Sequence, residues 1–194
     1  ATYLRERLRL ELQALLERQP ALDGRHYNLY SDGLTIRTTI DSRLQAVAEQ
    51  AMTEQMRQLQ RHLERQLGGA DLIGENSELI LREWQRTPHF TRLKRAGLSE
   101  AEIDSVFHTP QPMKLFTWEG EAEQMVSPHD SLRHYLSILN GGFVALEPER
   151  GDVLAWVGGI DHHTFKFDHV TSRRQAGSAF KPIVYTAALE NGLK

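Results

Sequence analysis

The sequence has no cysteine, which excludes disulfide staples, cysteine-ligated zinc and thiol nucleophiles together. It also lacks a long apolar run. The longest stretch free of Asp, Glu, Lys and Arg is His134 to Leu146, 13 residues broken by Asn140-Gly141-Gly142. A bilayer span needs about 20, so this stretch reads as buried core. Nor does one sign of charge dominate: 23 Lys plus Arg stand against 26 Asp plus Glu, a net charge of −3. With both signs interspersed, nucleic acid is excluded as the main partner. G-x-G-x-x-G, Walker A, G-x-S-x-G and H-E-x-x-H patterns are all missing, which removes the commonest nucleotide, hydrolase and zinc-protease signatures. What remains is ordinary globular composition, 40% hydrophobic and 25% charged over 194 residues, enough for one domain or two small ones. The chain, running from Ala1 to Lys194, reads as a piece of a longer protein.

Leu4, Leu8, Leu12 and Leu15 recur at helical spacing over residues 3–18, and Pro20 stops the run. After the turn signal Asp32-Gly33, Leu34 to Ile40 is rich in β-branched residues and reads as a strand. Asp41 or Ser42 caps a long helix, and Ser42-Arg43-Leu44-Gln45 fits a capping box. Its expected apolar stripe is Leu44, Ala48, Met52, Met56, Leu59, Leu63 and Leu67, ending at Gly68-Gly69. The spacing predicts a short helix at Glu78–Arg86 and another behind the capping box Ser99–Glu102, ending before Pro110. Met113–Trp118 and Ala122–Val126 form an expected strand pair around Glu119-Gly120. Ser127-Pro128-His129-Asp130 opens a helix reaching about Leu139. Phe143–Glu147 and Val153–Val157 make a hairpin, and Gly177-Ser178 opens a last helix whose apolar residues Phe180, Val184 and Ala187 should pack on that hairpin. The fold class is α+β: a helical front, then a mixed back. Boundaries are placed at 1–68, 69–120 and 121–194.

One serine has a base within reach. Ser178-Ala179-Phe180-Lys181 puts two side chains three residues apart on a helix, with Cβ atoms roughly 5–6 Å apart. A lysine acts as base only when neutral, through burial or neighbouring cations. A serine at a helix N-terminus sits where free N–H groups stabilise an oxyanion. By spacing alone, a capping serine and a solvated lysine are the favoured reading of the pair. Asp161-His162-His163 and Asp168-His169 read as loop without metal-ligand spacing, and Lys166, Arg173 and Arg174 as solvated loop charges. Met52 and Met56 are core filler.

The surroundings of Ser178 carry more. Asn140-Gly141-Gly142-Phe143-Val144-Ala145-Leu146-Glu147-Pro148, then Gly151-Asp152-Val153-Leu154-Ala155-Trp156-Val157-Gly158-Gly159, then Arg174-Gln175-Ala176-Gly177-Ser178-Ala179-Phe180-Lys181-Pro182 closely resembles the start of the transpeptidase domain of class A penicillin-binding proteins. Gly33 to Asp41, with Leu44-Gln45 and Ala48-Glu49, resembles that family's interdomain linker, and Ser127-Pro128-His129-Asp130-Ser131 its segment before the hairpin. Two departures stand out: Ala176 replaces a usual proline, and Phe167-Asp168-His169-Val170 stands where many members have F-N-R-A.

The resemblance implies a truncated transpeptidase with Ser178 as the acyl-enzyme nucleophile and Lys181 as its base or proton relay. It implies peptidoglycan stem peptides and β-lactams as the partners of the longer protein, possible cell-wall synthesis protein partners, no cofactor and no nucleic acid. It further implies a glycosyltransferase domain and a membrane anchor outside these residues, at the outer face of the cytoplasmic membrane. The family's S-x-N and K-T-G motifs are not in these 194 residues. The expectation from another class is a non-catalytic linker or pedestal that positions other domains or docks partners.

Overall fold

The computed structural model describes residues 1–19, 24–74 and 78–193; the expected stop at Pro20 lies outside them. The described elements run α1 (Thr2–Arg18), α2 (Ser42–Leu67), α3 (Glu78–Arg86), α4 (Pro88–Arg95), α5 (Glu100–His108), β1 (Gln111–Thr117), β2 (Gly120–Val126), α6 (Pro128–Ser137), β3 (Phe143–Leu146), β4 (Val153–Val157), a 3₁₀ turn (Gly177–Phe180) and α7 (Lys181–Glu190). The strands form two antiparallel pairs, β1 with β2 and β3 with β4. This is the expected α+β class. Thr87-Pro88 had given no helix signal in the sequence reading, yet Thr87 accepts from Phe90 N–H and starts α4.

Helix α2 is the spine, and its buried face differs from the expected stripe. Asp41, not Ser42, caps it, accepting from the N–H groups of Arg43 and Leu44. The inward positions are Gln45, Ala48, Met52, Met56, Gln60, Leu63 and Leu67, still at helical spacing. Leu44 and Leu59 instead face water, 45% and 39% exposed, while Gln45 and Gln60 are each only 5% exposed. The correction has a simple cause: each glutamine replaces a missing backbone partner. Gln45 accepts from Trp156 N–H (2.8 Å) and donates to Trp156 C=O (2.9 Å) along the outer edge of β4. Gln60 accepts from Leu139 N–H (2.8 Å) and donates to Ser137 C=O (3.1 Å) at the end of α6. Buried peptide groups need such partners, and a leucine supplies none.

The expected strand Leu34–Ile40 is not formed. Asp41 N–H reaches Leu154 C=O (3.0 Å) and the Thr39 hydroxyl reaches Val153 C=O (2.8 Å). Two bonds at one end do not make a ladder, and the β-branched side chains of this segment stay largely exposed.

The apolar core lies in the middle third. Ile80 and Trp84 of α3 meet Ile103 and Phe107 of α5, with Leu98, Phe90 and Leu132 packed around them. Trp84 stacks on Phe107 at 4.8 Å between ring centroids and 17° between planes. The capping box of α5 is complete, Ser99 bonding Glu102 N–H and the Glu102 carboxylate returning to Ser99 N–H. The boundary expected at 120/121 falls inside the β1–β2 hairpin, where Thr117 opposes Gly120. Since β2 continues that hairpin and α6 packs on α3, α5 and β1, residues 121–137 stand with the middle third.

Helix α7 does not pack on the β3–β4 hairpin, contrary to the expectation. Phe180, Ile183, Val184, Tyr185 and Leu189 are each 49–67% exposed. The hairpin packs through β4 on α2 and α1, and α7 touches mainly the turn that precedes it, so Phe143, Val144 and Leu146 of β3 stay 39–55% exposed as well.

Candidate active site

Ser178 is placed by a change of backbone hand. Gly177 has φ 51°, the left-handed region that a side chain disfavours. The chain then tightens into the 3₁₀ turn, with Ala179 N–H bonding Ala176 C=O at 3.1 Å. Lys181 N–H closes on Ser178 C=O, and Lys181 begins α7 with Pro182 in its first turn. Pro182 is tolerated there because it gives up only a hydrogen bond at the periphery of the helix. Ser178 therefore stands at the start of a helical segment with Lys181 one turn on, as the S-x-x-K spacing requires. Both residues are exposed.

The segment leading to Ser178 is held more firmly than its sequence suggested. Asp168 anchors it twice, accepting from the Trp156 indole N–H (3.0 Å) and from Val170 N–H (2.9 Å). His169 N–H returns to Gly158 C=O at 2.8 Å. Burial, and after it the charge of Arg174, push the His169 pKa below the usual imidazole range. The departure Phe167-Asp168-His169-Val170 thus supplies the anchor of the loop. Among the described residues no group of three or more His, Asp and Glu is arranged to hold a metal ion, and none of their helices is long and apolar enough to cross a membrane.

Sequence reasoning missed Tyr3, which is 6% exposed against the same loop. It sits one residue before Leu4 in a run read only for leucines. Gly158-Gly159, seen simply as the end of a strand, was the signal for it, because a glycine pair leaves room for a ring.

Residues 70–139 match the family described as Penicillin-binding protein middle domain, and residues 141–194 match the Penicillin binding protein transpeptidase domain. These matches, a helix-borne Ser-x-x-Lys behind a two-stranded hairpin and a helical module before it, define the class. The chain belongs to the penicillin-binding proteins, as a fragment consistent with class A. Among curated relatives, Penicillin-binding protein 1A of Rickettsia bellii is 30% identical over 100% of this chain and 26% of that protein. The Escherichia coli K12 protein of the same name is 45% identical over 28% of this chain and 7% of its own length, and that of Neisseria lactamica 47% over 29% and 7%. The chain spans about a quarter of the length of the relatives it matches throughout. No solved structure matches it significantly.

Proposed function

We propose that the protein containing this chain is a peptidoglycan synthase whose transpeptidase domain cross-links stem peptides by serine acyl transfer. The observation that carries the reading is the transpeptidase match over residues 141–194 with Ser178-x-x-Lys181 set at a helix start behind a left-handed glycine. In this reading the Ser178 Oγ adds to the carbonyl of the penultimate D-Ala, giving its proton to Lys181, directly or by relay. The peptide C–N bond breaks and D-Ala leaves as the free amine with that proton. An amine of a neighbouring stem peptide then attacks the ester and releases Ser178. A β-lactam acylates the same oxygen by opening its ring amide. No cofactor enters this chemistry.

Residues 1–68 are proposed as the interdomain linker, followed by the middle module and the start of the transpeptidase domain. A glycosyltransferase domain, a membrane anchor and a place at the outer face of the cytoplasmic membrane belong to the same proposal. The alternative of a non-catalytic pedestal is not favoured by a transpeptidase match that runs through the Ser-x-x-Lys itself. The test is intact-mass spectrometry of the longer protein after incubation with a penicillin. One adduct that maps to Ser178 and disappears in Ser178→Ala is expected. An adduct that survives Ser178→Ala overturns the nucleophile assignment.

A further inference from the structure

Between β4 and the Ser178 turn, residues 158–170 form a loop closed at its neck. His169 N–H bonds Gly158 C=O, Asp168 ties Trp156 to Val170, and Asn140 Oδ1 accepts from Ile160 N–H at 3.0 Å. One flank rests on the middle module, where the Phe165 ring meets Phe116 at 5.3 Å and Tyr135 at 6.0 Å edge-on, and His163 pairs with Glu121 at 3.2 Å. The bight of the loop is filled by Tyr3 of α1. Its hydroxyl donates to Phe165 C=O at 2.6 Å, and its ring stands edge-on to His162 at 4.7 Å.

The fit leaves no slack. A Cβ added to Gly158 would stand 2.6 Å from both Tyr3 Cγ and Asp168 Oδ1, and one on Gly159 2.9 Å from Tyr3 Cζ, all closer than real atoms approach. Neither glycine has a positive φ, so close neighbours, at Gly159 the tyrosine foremost, and not backbone hand exclude side chains here. Burial, then the carboxylates of Asp161 and Asp168, raise the Tyr3 pKa, so the phenol stays a donor. Beyond the neck, the Thr171 and Ser172 hydroxyls bond back to Asp168 C=O and His169 C=O. Seven residues, 171–177, lead from there to Ser178.

We propose that Tyr3 is a positioning residue for the transpeptidase nucleophile: from linker helix α1 it plugs the 158–170 loop and holds the approach to Ser178 in register. The inference rests on the reading of Ser178 as nucleophile, and the test separates the two. In the longer protein carrying the whole transpeptidase domain, the second-order rate of acylation by a fluorescent penicillin is compared for wild type, Tyr3→Phe, Tyr3→Ala and Gly159→Ala. Tyr3→Phe keeps the ring and loses one buried hydrogen bond, so acylation slows about three- to tenfold. Gly159→Ala slows it in the presence of Tyr3 but adds much less in a Tyr3→Ala background, because the clash with the ring has gone.

Hydrogen exchange on the 194-residue chain supplies the readout that general destabilisation would not reproduce. In Tyr3→Phe the amides of Phe165 and His169 exchange faster, while those of Ile103 and Phe107 in the middle core keep their wild-type rates. Wild-type acylation in Tyr3→Phe, or additive effects of Gly159→Ala and Tyr3→Ala, overturns the proposal. Equal acceleration at all four amides overturns it too, by making Tyr3 a general stabiliser. If the wild-type protein forms no adduct at Ser178, the nucleophile reading fails, and unchanged exchange at Phe165 and His169 then removes the loop contact as well.

Discussion

Replacing Gln45 by leucine should destabilise the chain far more than an exposed glutamine-to-leucine change on the same helix. The Gln45 amide is the partner of both the N–H and the C=O of Trp156, and it also donates to Glu49 at 2.7 Å. Leucine has nearly the same volume, so no large cavity opens, but two peptide groups beneath α2 lose their partners. A buried group left unsatisfied costs about 1–3 kcal/mol, and the added apolar burial of leucine offsets roughly 1 kcal/mol of the total. The net expectation is a loss of about 1–5 kcal/mol, or roughly 2–20 °C in Tm for a chain of this size. Thermal and guanidinium unfolding followed by circular dichroism measure it. Gln50→Leu is the control, since Gln50 is exposed and bonds only Glu54 of its own helix, and it should stay within about 0.5 kcal/mol of wild type. Gln60→Leu should repeat the effect, and Gln45→Leu with Gln60→Leu should add, because 15 residues of helix separate the sites by about 22 Å. Equal melting temperatures for Gln45→Leu and Gln50→Leu would refute the assignment of the glutamines as backbone partners.

Further outcomes can be measured on the same material. Trp84→Ala removes the ring stacked on Phe107 in the middle core and should cost about 3–5 kcal/mol by chemical denaturation, whereas Leu79→Ala on the 44% exposed face of the same helix should cost under about 1 kcal/mol. Acid should weaken the fold in two stages. His169, and likewise His89, is held below its ordinary 6.5 by burial, with Arg174 and Arg92 respectively adding to it. Their contribution is full above 6.5 and is lost as pH falls through their lowered folded values. Asp41 and Asp130 are held below 3.8, Asp41 by the Arg43 N–H first and Asp130 by the Ser127 hydroxyl first, and theirs is lost only as pH falls through those still lower values. Tm against pH should show both stages, and a His169 titration by NMR at or above 6.5 would contradict the burial argument. The isolated 194-residue chain should form little or no stable adduct with a reporter penicillin, because Ser178 and Lys181 are both exposed to water and a lysine base must be desolvated; rapid full labelling at Ser178 would show that the local helix suffices.

The difference between legible and illegible parts of this chain follows from how far each signal reaches. Helix starts were readable because caps are local: Ser99 with Glu102, and Ser127 with Pro128, act within four residues and form as expected. The β3–β4 hairpin was readable for the same reason. What periodicity misassigned was the content of the buried face of α2. Helical spacing gives the angle between side chains, and Leu44 and Gln45 are neighbours about 100° apart, so the expected stripe holds at Ala48, Met52, Met56, Leu63 and Leu67 and is one position off only at Leu44 and Leu59. Only the facing backbone decides between them. That backbone, the free edge of β4 and the frayed end of α6, lies 111 and 77–79 residues away in sequence.

The candidate site divides along the same line. Ser178, Lys181 and the turn of Gly177 are local, and their spacing was visible in nine residues. The groups that hold the approach to them are not. Tyr3 reaches Phe165 across 162 positions, and the sequence trace of that contact is the loss of two side chains at Gly158 and Gly159 rather than any pattern around Tyr3 itself. A close contact between distant segments is thus written as smallness at one end and as an isolated aromatic at the other. The exposed apolar face of α7 follows from a third kind of limit: amphipathic pattern shows that Phe180, Val184 and Leu189 want cover, yet it cannot name the cover. Here β4 meets α2 through Gln45 and α1 through Tyr3. Those contacts cover β4, while Phe143, Val144 and Leu146 of β3 and the apolar residues of α7 are both left exposed.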